Sequence, residues 1–325
     1  MPGWTVVRTR NRCKLNKTTS WPSGKRFAFT VFDDTDFATL ANVKGVYSFL
    51  ADCGLRTTKS VWVVEGDPNR GDHAAPTCDN AEYLRWILDL QSQGFEIGLH
   101  NCTWHGLPRD DIRLALDRFA ELFGHDPATA TNHTGVEESM YGGDARLSGW
   151  HRHLYNLLTR FQNRGMYRGH IEGDPYFWGD LCRQKIKYFR NFTFRDLNTL
   201  KACSFMPYHD PLKPYVNYWF ASSDGYDVGA FNDCLSESHQ DRLEEEGGAC
   251  IMYTHFANGF GDGGQMNSRF RQLIERLSRK NGWFVPVVTL LDHLLQLNGH
   301  HQITDAERSR LERRWLWQKM LSGTT

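Results

Sequence analysis

Along most of the chain, short apolar runs that read as strands alternate with amphipathic runs that read as helices, and this alternation limits the fold more than any other feature. RFAFTVF, KSVWVVEG, FEIGLH, PATATNH, VNYWFASSDG, ACIMYTHF and WFVPVV are the strand-like runs. Between them lie VKGVYSFLADCG, DNAEYLRWILDLQSQG, PRDDIRLALDRFAELFG, NDCLSESHQDRLEEEGG and SRFRQLIERLSRKNG. Strands alternating with helical runs of about 10–15 residues predict a parallel sheet or a (β/α) barrel. The helical signals are explicit. Asp79 stands where it can cap a helix whose apolar face is Leu84, Ile87, Leu88 and Leu90, and the next helix opens at Pro108 and closes at Gly124. TLLDHLLQLNG reads as a further helix, and TDAERSRLERRWLWQKML as the last. Thr304 and Glu307 give that last helix a capping box, and Leu311, Trp315 and Leu316 could dock it on the body. Residues 136–215 break the pattern. GWHRHLYNLLTRFQNRG reads as a polar helix with His151 and His153 exposed, and DPYFWGDLCRQKIKYFRNFTF is aromatic-rich without a clear period. The expected organisation is an N-terminal extension over 1–24 and a single domain over 25–325, elaborated at about 136–215.

A length of 325 residues is enough for a sizeable core. Lys+Arg and Asp+Glu balance at 38 each, so the bulk basic field that a nucleic-acid partner requires is absent. The 11 tryptophans read first as core and second as the lining of a carbohydrate site. No apolar run approaches the roughly 18 residues of a membrane span. The basic N-terminus has no apolar core of a secretion signal. The 8 cysteines include no C-x-x-C pair, and several sit in apolar segments, which fits free thiols in a reducing compartment. A cytoplasmic protein is the expectation.

The chemistry is in the strand ends. Asp33 and Asp34 end the first strand, His100 ends FEIGLH, His133 ends ATATNH, Asp224 follows YWFASS and His255 ends CIMYTH. In a parallel α/β fold these ends converge on one face. Asp and His together are suitable ligands for a divalent transition metal that keeps an open position. Neighbouring residues in a strand point opposite ways, so one carboxylate of the Asp33–Asp34 pair would bind metal while the other reaches its water. Asp36 is read as a cap or supporting residue, and Asp72 and His73 as a loop that could reach over the barrel mouth.

FTVFDDTD, EIGLHNCTWH and CIMYTHF resemble three signature motifs of the polysaccharide deacetylase family, the NodB-homology or carbohydrate esterase 4 group, in the family's order. GWFVPVVTLLDHL is similar to that family's closing strand and helix, so the likeness spans residues 28 to about 297. The resemblance implies a distorted (β/α) barrel, here with an elaborated middle region and a C-terminal helix. It implies removal of an N- or O-acetyl group from a carbohydrate or related small molecule. Asp33 would be the general base, Asp34, His100 and His105 the metal ligands, and His255 the general acid. Zinc is the first expectation for the ion, with cobalt, nickel or manganese as alternatives.

Three departures stand out. HNCTWH spaces its histidines by five rather than four, so either His105 or His133 completes the ligand set. The family's Arg-x-Pro-Tyr motif is replaced by TNHTGVEESMYGG, which leaves open what orients Asp33. YWFASSDG matches the family's aromatic groove wall only loosely; Trp219 is a candidate pocket wall and Asp224 a candidate partner of His255. Two other readings remain at this level. One is a carbohydrate-binding protein that has kept the fold without the chemistry. The other is a magnesium-dependent phosphatase or glycosyltransferase built on Asp34-Thr35-Asp36.

Overall fold

The structure is a computed structural model that describes residues 21–70, 75–262 and 264–322. Asp72, His73 and most of the N-terminal extension lie outside the described residues. The first strand, β1 (Phe27–Asp33), is buried along its whole length. It pairs in parallel with β2 (Thr58–Val61), which pairs with β3 (Glu96–His100), and β3 with β4 (Thr129–Thr131). The series continues through β5 (Tyr188–Phe194), β6 (Tyr218–Asp224) and β7 (Ala249–Thr254). Six register pairs from Ala28↔Ala249 to Asp33↔Thr254 then join β7 back to β1. The result is a closed barrel of seven parallel strands with helices around it, the α/β architecture that the alternation predicts.

Helices α1 (Leu40–Asp52), α2 (Ala81–Ser92) and α3 (Arg109–Phe123) form the crossovers between the first four strands. α1 carries a capping box between Thr39 and Asn42 and buries Val43, Val46, Tyr47 and Leu50 against the barrel. The cap of α2 is Asn80 rather than Asp79, and its buried face is Tyr83, Trp86, Ile87 and Leu90, with Leu88 left exposed. Inside the barrel, alternation along β3 points Glu96, Gly98 and His100 the same way. Glu96 accepts hydrogen bonds from Thr58, Thr129 and the Val288 N–H at the closed end. Gly98 is small because it must be: a Cβ there would stand 2.9 Å from Thr129 Oγ1 and 3.3 Å from the Phe32 ring. His100 emerges at the open end.

The middle region departs most from expectation. DPYFWGDLCRQKIKYFRNFTF contains a full barrel strand, β5, preceded by α4 (Gly149–Leu158) and α5 (Gly179–Lys185). His151 is buried rather than exposed, with Nδ1 3.0 Å from the Glu312 carboxylate. α6 (Thr199–Ala202) follows β5. The run NDCLSESHQDRLEEEGG forms two helices, α7 (Val228–Cys234) and α8 (Glu237–Glu245), rather than one. Beyond α9 (Ser268–Ser278), WFVPVV gives only the short strand Gly282–Trp283 before Pro286 starts α10 (Val287–Asn298). The last helix, α11 (Asp305–Ser322), opens with the Thr304–Glu307 capping box and buries Leu311, Trp315 and Leu316.

Candidate active site

At the open end of the barrel, Asp34, Asp36, His100, His133, Arg190, Tyr253 and His255 line one cavity of about 180 Å³. That is smaller than a site enclosing a drug-sized ligand, so it admits a reacting group and leaves the rest of a substrate at the mouth.

Alternation along β1 decides the fate of its two terminal aspartates. Odd positions face the helices and even positions face the barrel interior. Asp33 therefore points away from the cavity. Its Oδ2 accepts from the Tyr47 hydroxyl at 2.8 Å and lies 3.0 Å from Lys59 Nζ, and its Oδ1 accepts from the Phe256 N–H at 2.8 Å. Lys59 is the register partner of Asp33 on β2 and is fully buried. Asp33, expected as the base, is thus enclosed in a structural ion pair. Asp34 turns inward, where it meets two parallel hydrogen bonds from Arg190, at 2.9 and 2.5 Å. The Arg190 guanidinium lies over the rings of Phe32 and Tyr253, which hold the fork in place.

The chain turns after β1 and brings Asp36 back over the cavity. Asp36 Oδ2 lies 2.9 Å from His100 Nε2, and Oδ1 lies 2.8 Å from His133 Nδ1. The two imidazole nitrogens are 3.2 Å apart. Donors held by a zinc-type ion at about 2.0–2.1 Å stand roughly 3 Å from one another, so this cluster has the right size. Two of its buried atoms, Asp36 Oδ2 and His100 Nδ1, meet hydrogen-bond geometry with no partner among the described residues. A carboxylate and two imidazoles form the donor set of many divalent transition-metal sites, and the cluster fits such an ion. Burial works against the charge of Asp36. The close imidazoles of His100, His133 and His255 outweigh it and hold the carboxyl far below its ordinary range. Reading Asp36 as a cap or supporting residue therefore fails: the turn carries it to the centre of the cluster. The residues after two of these donors, Phe37 and Asn101, have φ of 59° and 51°, a conformation that side chains avoid and that concentrates at functional sites.

Across the cavity, His255 Nδ1 donates to the Tyr226 carbonyl at 3.2 Å, which leaves Nε2 facing Asp36 at 3.2 Å. Burial opposes its protonation, but Asp36 and Asp34 prevail and raise its pKa. Trp62 stacks beside His100 and meets His133 edge-on, walling the cluster on that side.

Other expected residues sit elsewhere. His105 Nε2 accepts from the Asp67 N–H at 2.6 Å and its Nδ1 donates to the Gly106 carbonyl at 3.0 Å, so both ring nitrogens are engaged in a loop. Trp219 is buried among Tyr141 and Phe189, away from the cavity. Asp224 accepts from the N–H of Tyr226 in its own turn rather than from His255. Arg190 and Arg146 were not singled out in the sequence. For Arg190 the only available signal was an arginine inside an apolar aromatic run.

No family model matches the chain, and no curated protein matches it. Two solved structures trace a similar path at 14% identity and a TM-score of 0.49 each. One is described as a "putative polysaccharide deacetylase from Mycobacterium smegmatis" and covers 88% of this chain and 96% of its own. The other is Puue allantoinase, covering 86% and 93%. What this chain does is decided by its own side chains.

Proposed function

We propose that the protein is a metal-dependent hydrolase of amides or esters and, within that class, removes an N- or O-acetyl group from a carbohydrate or related small molecule. The observation that carries this is the Asp36–His100–His133 cluster, with an arginine-locked Asp34 on one side and His255 on the other. Asp36, His100 and His133 would hold the ion, zinc first, with cobalt, nickel or manganese acceptable to the same donors. When bound, a divalent ion supplies acidified water and a Lewis acid for the acyl oxygen.

The protein's own groups supply the proton traffic. Asp34 is the proton acceptor, since two bonds to Arg190 fix the orientation of its carboxylate at the cavity. His255 is the proton donor: its Nδ1–H is committed to the Tyr226 carbonyl, so Nε2–H is the proton given to the leaving group. The base role thus falls to Asp34 rather than Asp33, and the carboxylate ligand is Asp36 rather than Asp34. A magnesium site on Asp34-Thr35-Asp36 is disfavoured, because Arg190 engages both oxygens of Asp34.

Metal analysis and acetate release from a panel of acetylated sugars test this. Wild-type protein should carry close to one ion and lose turnover on chelation, and Asp36→Ala should carry little. Asp34→Asn should keep the ion while turnover falls about 10²–10⁴-fold. An Asp36→Ala variant that retained ion and activity would sink the assignment.

A further inference from the structure

Two guanidinium groups line the cavity, from Arg146 and Arg190, and they are not equivalent. Arg190 is neutralised by Asp34. Arg146 ends the short 3-10 turn Gly143–Arg146, and its guanidinium lies 5.1 Å from the centre of the Trp315 ring on α11. Among the described residues, no carboxylate lies within ion-pair distance of it. Its surroundings make the charge costlier still. Burial pushes its pKa down and Arg190 adds a like charge, while the phenols of Tyr155, Tyr167 and Tyr208 act the other way. Lys319, also over the Trp315 ring at 5.3 Å, adds a second cation nearby. An arginine cannot shed its proton under physiological conditions, so a guanidinium kept at a cavity wall without a counter-charge is expensive unless a ligand supplies one. Its planar fork matches an oxyanion.

We propose that Arg146 is an anion-binding subsite: the substrate carries a carboxylate or phosphate in addition to the acyl group that is hydrolysed. The word substrate rests on the hydrolase reading above, whereas the anion site does not. A second oxyanion seated on Arg146 would orient the molecule with its acyl group towards Asp34 and His255, which share the cavity.

Two measurements separate the claims. In the first, acetate release is compared for N-acetylglucosamine, its 6-phosphate and its lactyl ether, which carries a carboxylate. The anionic member that fits should exceed the neutral sugar by at least about tenfold in kcat/KM. Arg146→Gln should erase that preference mainly through KM, and Arg146→Lys should retain part of it. Equal use of neutral and anionic sugars, or an unchanged preference in Arg146→Gln, overturns the proposal. If none of the three is turned over, the acetyl-sugar reading is what suffers, and the second measurement decides. Inorganic phosphate or acetate is added to chelator-treated protein and the melting temperature is followed. A rise in wild type and Arg146→Lys that is lost in Arg146→Gln supports the subsite, and the more effective anion names its class. No rise, or the same rise in all three, overturns it. Circular dichroism confirms that each variant is folded; if Arg146→Gln is not, Arg146→Lys decides, a weakened response to the anion relative to wild type supporting the subsite and an unchanged one overturning it.

Discussion

Asp33 and Asp34 are adjacent, chemically identical and both buried, yet they do opposite things because a strand sends successive side chains to opposite faces. Asp33 neutralises Lys59, whose ammonium is fully buried and, among the described residues, pairs with no other carboxylate. Removing that partner leaves an uncompensated charge in the core. Asp33→Asn is therefore expected to lose about 3–5 kcal/mol of stability, measured by denaturant unfolding. Replacing both partners, as Asp33→Asn with Lys59→Met, should recover much of that loss. A folded Asp33→Asn protein should still bind its ion and turn over, which separates it from Asp34→Asn. Local pattern puts both carboxylates at the site, one on the metal and one on its water. The face that becomes the barrel interior is set by closure of the sheet, and closure takes Asp33 out of the cavity.

At the scale of elements, the site depends on irregularities. β5 and β6 slip in register between Arg190 and Thr193, where three steps on β5 match two on β6. That bulge lets Arg190, Asn191 and Thr193 all reach the cavity while Phe192 packs outward on Trp315. A strand that breaks its own period gives no period-2 signal, which is why the stretch holding Arg190 read as ambiguous. The loops after β3 and β4 are tied by another unpredicted group. Glu138 accepts from Asn101 Nδ2 at 3.0 Å and from the Leu107 N–H at 3.3 Å, and Asn101 in turn accepts from the His133 N–H at 2.6 Å. Burial pushes the Glu138 pKa up from 4.5 to about 8. The unfolded chain releases this proton near the ordinary value while the folded one keeps it to about 8. Its contribution is therefore full at acid pH and is lost as pH rises through that window, on the order of a few kcal/mol. Glu138→Gln has no such proton, so its unfolding free energy should depend less on pH between about 5 and 8 than that of wild type. Chemical denaturation across that range checks it.

For the whole molecule, the closed barrel and the last helix are coupled. Trp315 of α11 packs 5.8 Å from both Phe192 of β5 and Tyr155 of α4, and its ring supports Arg146 at the cavity wall. Trp315→Ala should cost about 3–5 kcal/mol by denaturant unfolding. It should also weaken whatever Arg146 binds, measured as a loss of anion-induced thermal protection. The alternation of strands and helices outside the middle region, the polar strand ends at His100, His133 and His255, and the docking face of α11 were legible in the chain, because periodicity and capping are local properties. Local pattern could not assign Asp36 to the donor cluster, His105 to a loop or Arg190 to Asp34. Each of those outcomes depends on contacts between segments far apart in sequence. A turn carries Asp36 over the cavity, the Asp67 N–H engages His105, and a bulge on the far side of the barrel aims Arg190, and only the closed barrel brings these together.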